Sequence, residues 1–194
     1  MRRSLGRALG PPRHGAWSLE TSPTATIVRL DEGFASTAYE LLLDIAIDAG
    51  LTVWDADAHE LVLPFPEELP DERLAEALAS LSSSGDGAWV VCEGGPGLSY
   101  YVQFFALGGG RARLEAVAGR HIPSEHALPS TLYANLALHG LSHAAESSPN
   151  LSCLVDLSGP RDRQRAAGRA RRILEDIYGV LLQPPTRMRL FQPA

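Results

Sequence analysis

Ser99–Arg120 reads SYYVQFFALGGGRARLEAVAGR, and its two arms decide the fold. Alternate side chains of a β-strand point to opposite faces, so a strand with one wet face alternates apolar and polar residues. The first arm, SYYVQFFAL, does not. Tyr100, Val102, Phe104 and Ala106 fall on one face, Tyr101, Gln103, Phe105 and Leu107 on the other. Gly108–Gly110 then break the run with the length and chemistry of an antiparallel hairpin. The second arm, RARLEAVAG, sets Leu114, Ala116 and Ala118 against Arg113, Glu115 and Val117. Upstream, GAWVVCEG sets Ala88, Val90 and Cys92 against Trp89, Val91 and Glu93, and GGPG turns it into the next strand. Three antiparallel strands therefore share one smooth apolar face that helices can cover. On the second face Trp89, Val91, Tyr101 and Phe105 stand near Gln103 and Glu115. Left in water, it would form a patch of the size that marks an interaction site. Either residues 26–66 lie across it or a partner does.

Outward from this sheet the pattern turns helical. DERLAEALASL places Leu74, Ala77, Leu78 and Leu81 on one stripe, with acidic residues in the first turn where the helix dipole favours them. TLYANLALHGL follows the three strands, with Ser130 expected as its N-cap. LSCLVDLS reads as another strand. PRDRQRAAGRARRILEDIYGV carries Ala166, Ala170, Ile173, Leu174 and Ile177 on one face and Pro160 at the first-turn position that tolerates it. The fold class expected is α+β, an antiparallel sheet with helices packed on it, in a domain over 71–182. Residues 1–25 read as a disordered leader and 183–194, interrupted by Pro184 and Pro185, as a tail. Residues 26–66 read as a small α/β segment: a strand TIVRL, a helix ended by Gly50, and the short strands LTVWD and ELVLP.

The chain has 194 residues, 45% hydrophobic and 21% charged, room for one ordinary domain with an appendage. No apolar run approaches the roughly 18 residues of a membrane-spanning helix. The start lacks a secretory h-region, so a cytoplasmic location is expected. All seventeen basic residues are arginine. Net charge is +4 over residues 1–30, −13 over 31–86 and +3 over 87–194. The acidic middle argues against a nucleic-acid surface there and favours basic partners.

The residue types that carry chemistry do not converge. DADAHE (55–60) begins like a calcium loop, but Glu60 stands where the loop needs Gly and Pro66 where it needs a bidentate Glu. His139 and His143 are spaced i, i+4, yet Gly140 ends the helix between them and no HExxH glutamate accompanies them. LGGGR and EGGPG run strand to strand, whereas a phosphate cradle leads into a helix N-terminus. Cys92 and Cys153 lie in strand-like runs as small hydrophobes. Arg165, Arg169 and Arg172 form a basic stripe that reads as a solvated face, with Arg171–Glu175 and Arg172–Asp176 as i, i+4 pairs. A nucleic-acid surface along it is the weaker alternative, for aromatic residues are missing. No enzyme, metal or cofactor is expected.

YYVQF (100–104), LEAVAGR (114–120), the LxxxGL ending at Leu136–Leu141 and ILEDIYGV (173–180) resemble the YbjN-like and type III secretion chaperone-like (TY-Chap) superfamily. The chain departs from it in lacking a tryptophan after Gly140. The resemblance implies an α-β-β-β-α-β-β-α domain over the C-terminal two thirds. It also implies a non-enzymatic, bacterial, peptide-binding chaperone whose partner is a protein or peptide. Trp89, Val91, Tyr101 and Phe105 are the candidate partner-binding residues. A homodimer built on the same face, acting as a regulatory adaptor, is the alternative.

Overall fold

The computed structural model describes residues 17–21, 26–30, 39, 42, 45–46, 51–56, 60–65, 71–95, 99–118, 122, 124–143, 150–179 and 186–191. They belong to two compact units, 1–51 and 52–194. In the first, β1 (Trp17–Thr21) pairs antiparallel with β2 (Thr26–Leu30). The leader expected over 1–25 is thus corrected for residues 17–21: TIVRL gives them a complete ladder despite the Arg- and Pro-rich stretch before them. Tyr39, Leu42, Ile45 and Ala46 are helical, and Leu51 N–H donates to Ala46 O at 2.8 Å. Gly50, expected to end that helix, lies outside the described residues, as do 1–16 and 22–25.

The second unit is one antiparallel sheet with helices on a single face. Its strands are β3 (Val53–Asp55), β4 (Glu60–Phe65), β5 (Trp89–Gly94), β6 (Tyr100–Ala106), β7 (Arg111–Ala116), β8 (Ser142–His143), β9 (Leu151–Asp156) and β10 (Thr186–Phe191). They lie in the order β3-β4-β10-β5-β6-β7-β9-β8, each antiparallel to its neighbours. This corrects two expectations. The segment 26–66 is not one body: the units divide after residue 51, and β3 and β4 extend the sheet in its own plane. The tail at 183–194 contains β10, which joins β4 to β5. TRMRLF alternates Arg with Met and Leu, the period-2 pattern of a strand with two unlike faces.

The helices are α1 (Asp71–Ser83), α2 (Ser130–Leu138) and α3 (Pro160–Arg172), which winds on as a π-helix through Ile173–Tyr178. Leu74, Leu78 and Leu81 of α1 and Ile173 and Leu174 beyond α3 are fully buried with Val90, Cys92, Val102, Phe104, Leu114 and Met188 of the sheet. The smooth face predicted from sequence is this core. Burial of each such leucine or phenylalanine contributes about 1.5–3 kcal/mol. Tyr178 fixes the helix end to the sheet: its hydroxyl donates to Val117 O at 2.6 Å and its ring stacks on Tyr100 at 5.2 Å. Pro160 starts α3 as expected, whereas α2 is capped by Pro129, and Ser130 is its first residue without a side-chain cap bond. The preceding proline already holds extended backbone there (φ −56°, ψ 143°), leaving Ser130 inside the helix.

Gly140 ends α2 at φ +73°. A Cβ on it would fall on the guanidinium of Arg169, which donates through Nε (2.7 Å) and an Nη to His139 O. Gly140→Ala is expected to cost about 1–2 kcal/mol for the left-handed backbone alone, and more where Arg169 is displaced. Thermal unfolding monitored by circular dichroism should register it as a loss of a few degrees.

Candidate functional site

All four candidate residues lie on the sheet face turned away from the helices. Trp89 sits directly opposite Phe105, Val91 opposite Gln103, and Tyr101 opposite Glu93. Val91 is buried (9% exposed), while Trp89, Tyr101 and Phe105 are half-buried. The register carries their row across neighbouring strands: Phe191, Trp89, Phe105, Arg113 and Leu154 are successive cross-strand partners on β10, β5, β6, β7 and β9.

Aromatic rings and guanidinium groups interleave along this row. Trp89 and Phe191 stack at 5.4 Å and 16°. Arg189 lies 5.6 Å over the Trp89 ring and Arg113 lies 5.3 Å over Phe105. Such cation–π contacts are worth about 0.5–1 kcal/mol each where water reaches them. Sequence reasoning missed Phe191, Arg187 and Arg189 because it set the last residues aside as a tail. The alternation in TRMRLF was the available signal.

Beside the rings, on the same face of the sheet, lies a polar network. Arg187 Nε donates to Glu93 Oε2 at 2.5 Å, and Arg189 stands 3.5 Å from Glu93 Oε1. Gln103 Nε2 donates to Glu115 Oε2 at 2.7 Å, and Arg113 Nε lies 2.7 Å from Glu115 Oε1. Asn150 Nδ2 donates to the Tyr101 hydroxyl (3.1 Å) and to Glu115 Oε2 (3.4 Å), and its Oδ1 accepts Ala118 N–H. Burial pushes the Tyr101 hydroxyl above the ordinary tyrosine range, with Glu115 and Glu93 adding to the shift; only the bond from Asn150 opposes it. Tyr101 therefore stays a neutral hydrogen-bonding group.

The remaining candidates for chemistry are dispersed. Cys92 and Cys153 are free thiols, both on the helix side. Burial raises the pKa of each, against the opposing influence of Arg169 on Cys153, so the nucleophilic thiolate is disfavoured. His139 caps α2 and approaches Asp176 at 3.9 Å, whereas His143 lies in β8, so they do not share a helix face. DADAHE spans the β3–β4 hairpin, with residues 57–59 outside the described set. Among the described residues no three His, Cys, Asp or Glu side chains are grouped to hold a metal. The basic stripe is partly spoken for: Arg165 pairs with Asp162 at 3.5 Å and Arg169 holds His139 O. Arg171–Glu175 forms at 2.8 Å, but Asp176 faces His139 rather than Arg172. What this geometry offers is a half-exposed aromatic surface interleaved with guanidinium groups.

Among the described residues no helix is long and apolar enough to cross a membrane. No curated protein and no solved structure matches the chain. The profile of one protein family matches residues 71–190, from the first residue of α1 into β10 and well over half of the sequence. The chain belongs to that family, described as T3SS (YopN, CesT) and YbjN peptide-binding chaperone 3.

Proposed function

We propose that the protein is a non-enzymatic chaperone that holds an extended partner polypeptide against the helix-free face of its sheet. Membership of a peptide-binding chaperone family supports the class of activity. The observation that favours this face is its cross-strand row of half-exposed rings, Phe191, Trp89 and Phe105, bracketed by Arg189 and Arg113. Large rigid aromatic side chains and arginines are the groups that most often dominate binding energy at protein interfaces. The ion pairs of Arg189 with Glu93 and of Arg113 with Glu115 fix the guanidinium groups against the rings before the partner arrives, which lowers the ordering cost of association. Partner side chains that are apolar or aromatic pack on top of the row of rings.

The test is a double variant, Trp89→Ala with Phe105→Ala, assayed on an array of overlapping extended peptides. Both positions are half-exposed, so far-UV circular dichroism should stay unchanged. Retention should fall about thirtyfold or more, the loss of about 2 kcal/mol or more that marks dominant interface residues. Undiminished retention by the folded double variant rules this face out.

A further inference from the structure

Among the described residues, strand β9 has a largely uncovered outer edge. β8 runs beside it for two residues only, Ser142 opposite Ser152 and His143 opposite Leu151. From Cys153 to Asp156 no strand lies alongside among the described residues. Leu157 N–H donates inward to Gly110 O at 2.7 Å, on the β7 side. Antiparallel ladders alternate, so the backbone groups of Leu151, Cys153 and Val155 also turn to β7, and those of Leu154 and Asp156 turn outward. Such an edge is a template for another strand, and proteins ordinarily blunt it.

A groove of about 630 Å³ runs along this edge, between it, the end of α2, and α3. Leu138 and Leu154, 85% and 68% exposed, line it together with Arg165, Arg169 and Arg172. Its two acids are engaged locally: Asp162 pairs with Arg165 (3.5 Å), and Asp156 Oδ1 accepts Ser158 N–H (2.8 Å). Asp156 is held below the usual carboxylate range by those Ser158 bonds, so it stays charged at neutral pH. Arg172 has no ion pair among the described residues.

We infer that Cys153–Asp156 is the docking edge for a strand of partner polypeptide in which acidic and apolar residues alternate. Strand addition would satisfy the outward N–H and C=O groups of Leu154 and Asp156. Period 2 then sorts the guest's side chains. Those level with Cys153 and Val155 turn to the helix side, where Arg172, the groove arginine without an ion pair among the described residues, selects carboxylates. Those level with Leu154 turn to the other face and extend the row Phe191, Trp89, Phe105, Arg113, Leu154 by one strand. A second copy of the chain is the poorer occupant, because antiparallel pairing of two such edges brings their arginine-lined grooves together. The inference takes its occupant from the peptide-binding reading but uses a different surface from Trp89 and Phe105.

The experiment titrates the full chain at low salt with two synthetic peptides, one alternating Glu and Val, the other Arg and Val. The Glu peptide should bind at least about tenfold more tightly, and Arg172→Glu should remove most of that preference. N-methylation of every second amide of the Glu peptide should abolish binding in one of the two registers and spare it in the other. Leu154→Pro, which deletes an outward N–H along with the leucine side chain and spares the hydrogen bonds to β7, should abolish binding too; the methylated peptides decide the matter if that variant fails to fold. The double variant Trp89→Ala with Phe105→Ala should bind the Glu peptide as the parent does, which separates this edge from the sheet face. Equal affinity for both peptides, or indifference to methylation, overturns the inference. So does sedimentation showing a dimer that Leu154→Pro dissociates, since that seats a second copy on the edge.

Discussion

Phe104→Ala is expected to lower unfolding stability by about 3–5 kcal/mol, read as a shift in the midpoint of urea unfolding with the slope unchanged. Phe104 is fully buried at the centre of the helix-side core, opposite Val90 on β5 and Leu114 on β7. Removing its ring leaves a cavity among side chains anchored to three hydrogen-bonded strands, which cannot collapse to fill it. Domains are commonly stable by only about 5–15 kcal/mol, so this one change should bring the protein near its unfolding threshold. The neighbouring Phe105→Ala is a stringent control. It removes an identical side chain from the half-exposed face, where no closed cavity forms, and should cost far less. Equal losses at the two positions would contradict the assignment of faces.

Glu93→Ala should cost a comparable amount, about 3–5 kcal/mol, by a different route. Glu93 accepts from Arg187 at 2.5 Å and lies 3.5 Å from Arg189. Arg187 is itself buried, 9% exposed, and without Glu93 its charge has been taken from water with no anion beside it. Replacing both members by apolar residues of similar volume, Glu93→Leu with Arg187→Met, should restore most of the loss, because burying an ion pair gains little over good apolar packing. A double-mutant cycle in urea measures the coupling directly. A double variant no more stable than Glu93→Ala alone would show that the loss does not come from leaving the Arg187 charge buried without an anion.

How much of this was legible in the sequence depended on how local each signal was. The helix over 71–83 announced itself through Leu74, Ala77, Leu78 and Leu81, and those four residues are buried. The Gly108–Gly110 hairpin was equally plain: all three glycines take positive φ, which other residues adopt only with strain. The two faces of β5, β6 and β7 followed from the period-2 direction of side chains along a strand, and with them the side of the sheet on which Trp89, Val91, Tyr101 and Phe105 lie. What stayed hidden was non-local. Nothing within TRMRLF says that it inserts between β4 and β5, since its ladder partners lie at 60–65 and 89–93. Two prolines before it made the region look like a tail. The stacking partner of Trp89 and the ion pair of Glu93 were hidden for the same reason, because Phe191 and Arg187 both belong to that strand. The largely uncovered edge of β9 likewise depends on how little of it β8 covers, which pairing alone decides.

The placement of β10 also orders events in time. A ribosome releases 53–65 and 89–116 long before 186–191, so the β3–β4 ribbon and the β5–β6–β7 meander must wait as two separate pieces. Each meanwhile shows a raw flank where the missing strand will sit. Closing gaps of this sequence length is slow relative to hairpin formation, and unpaired flanks are where nascent chains stick to one another. A member of a peptide-binding chaperone family therefore passes through a stage in which it would itself profit from a chaperone.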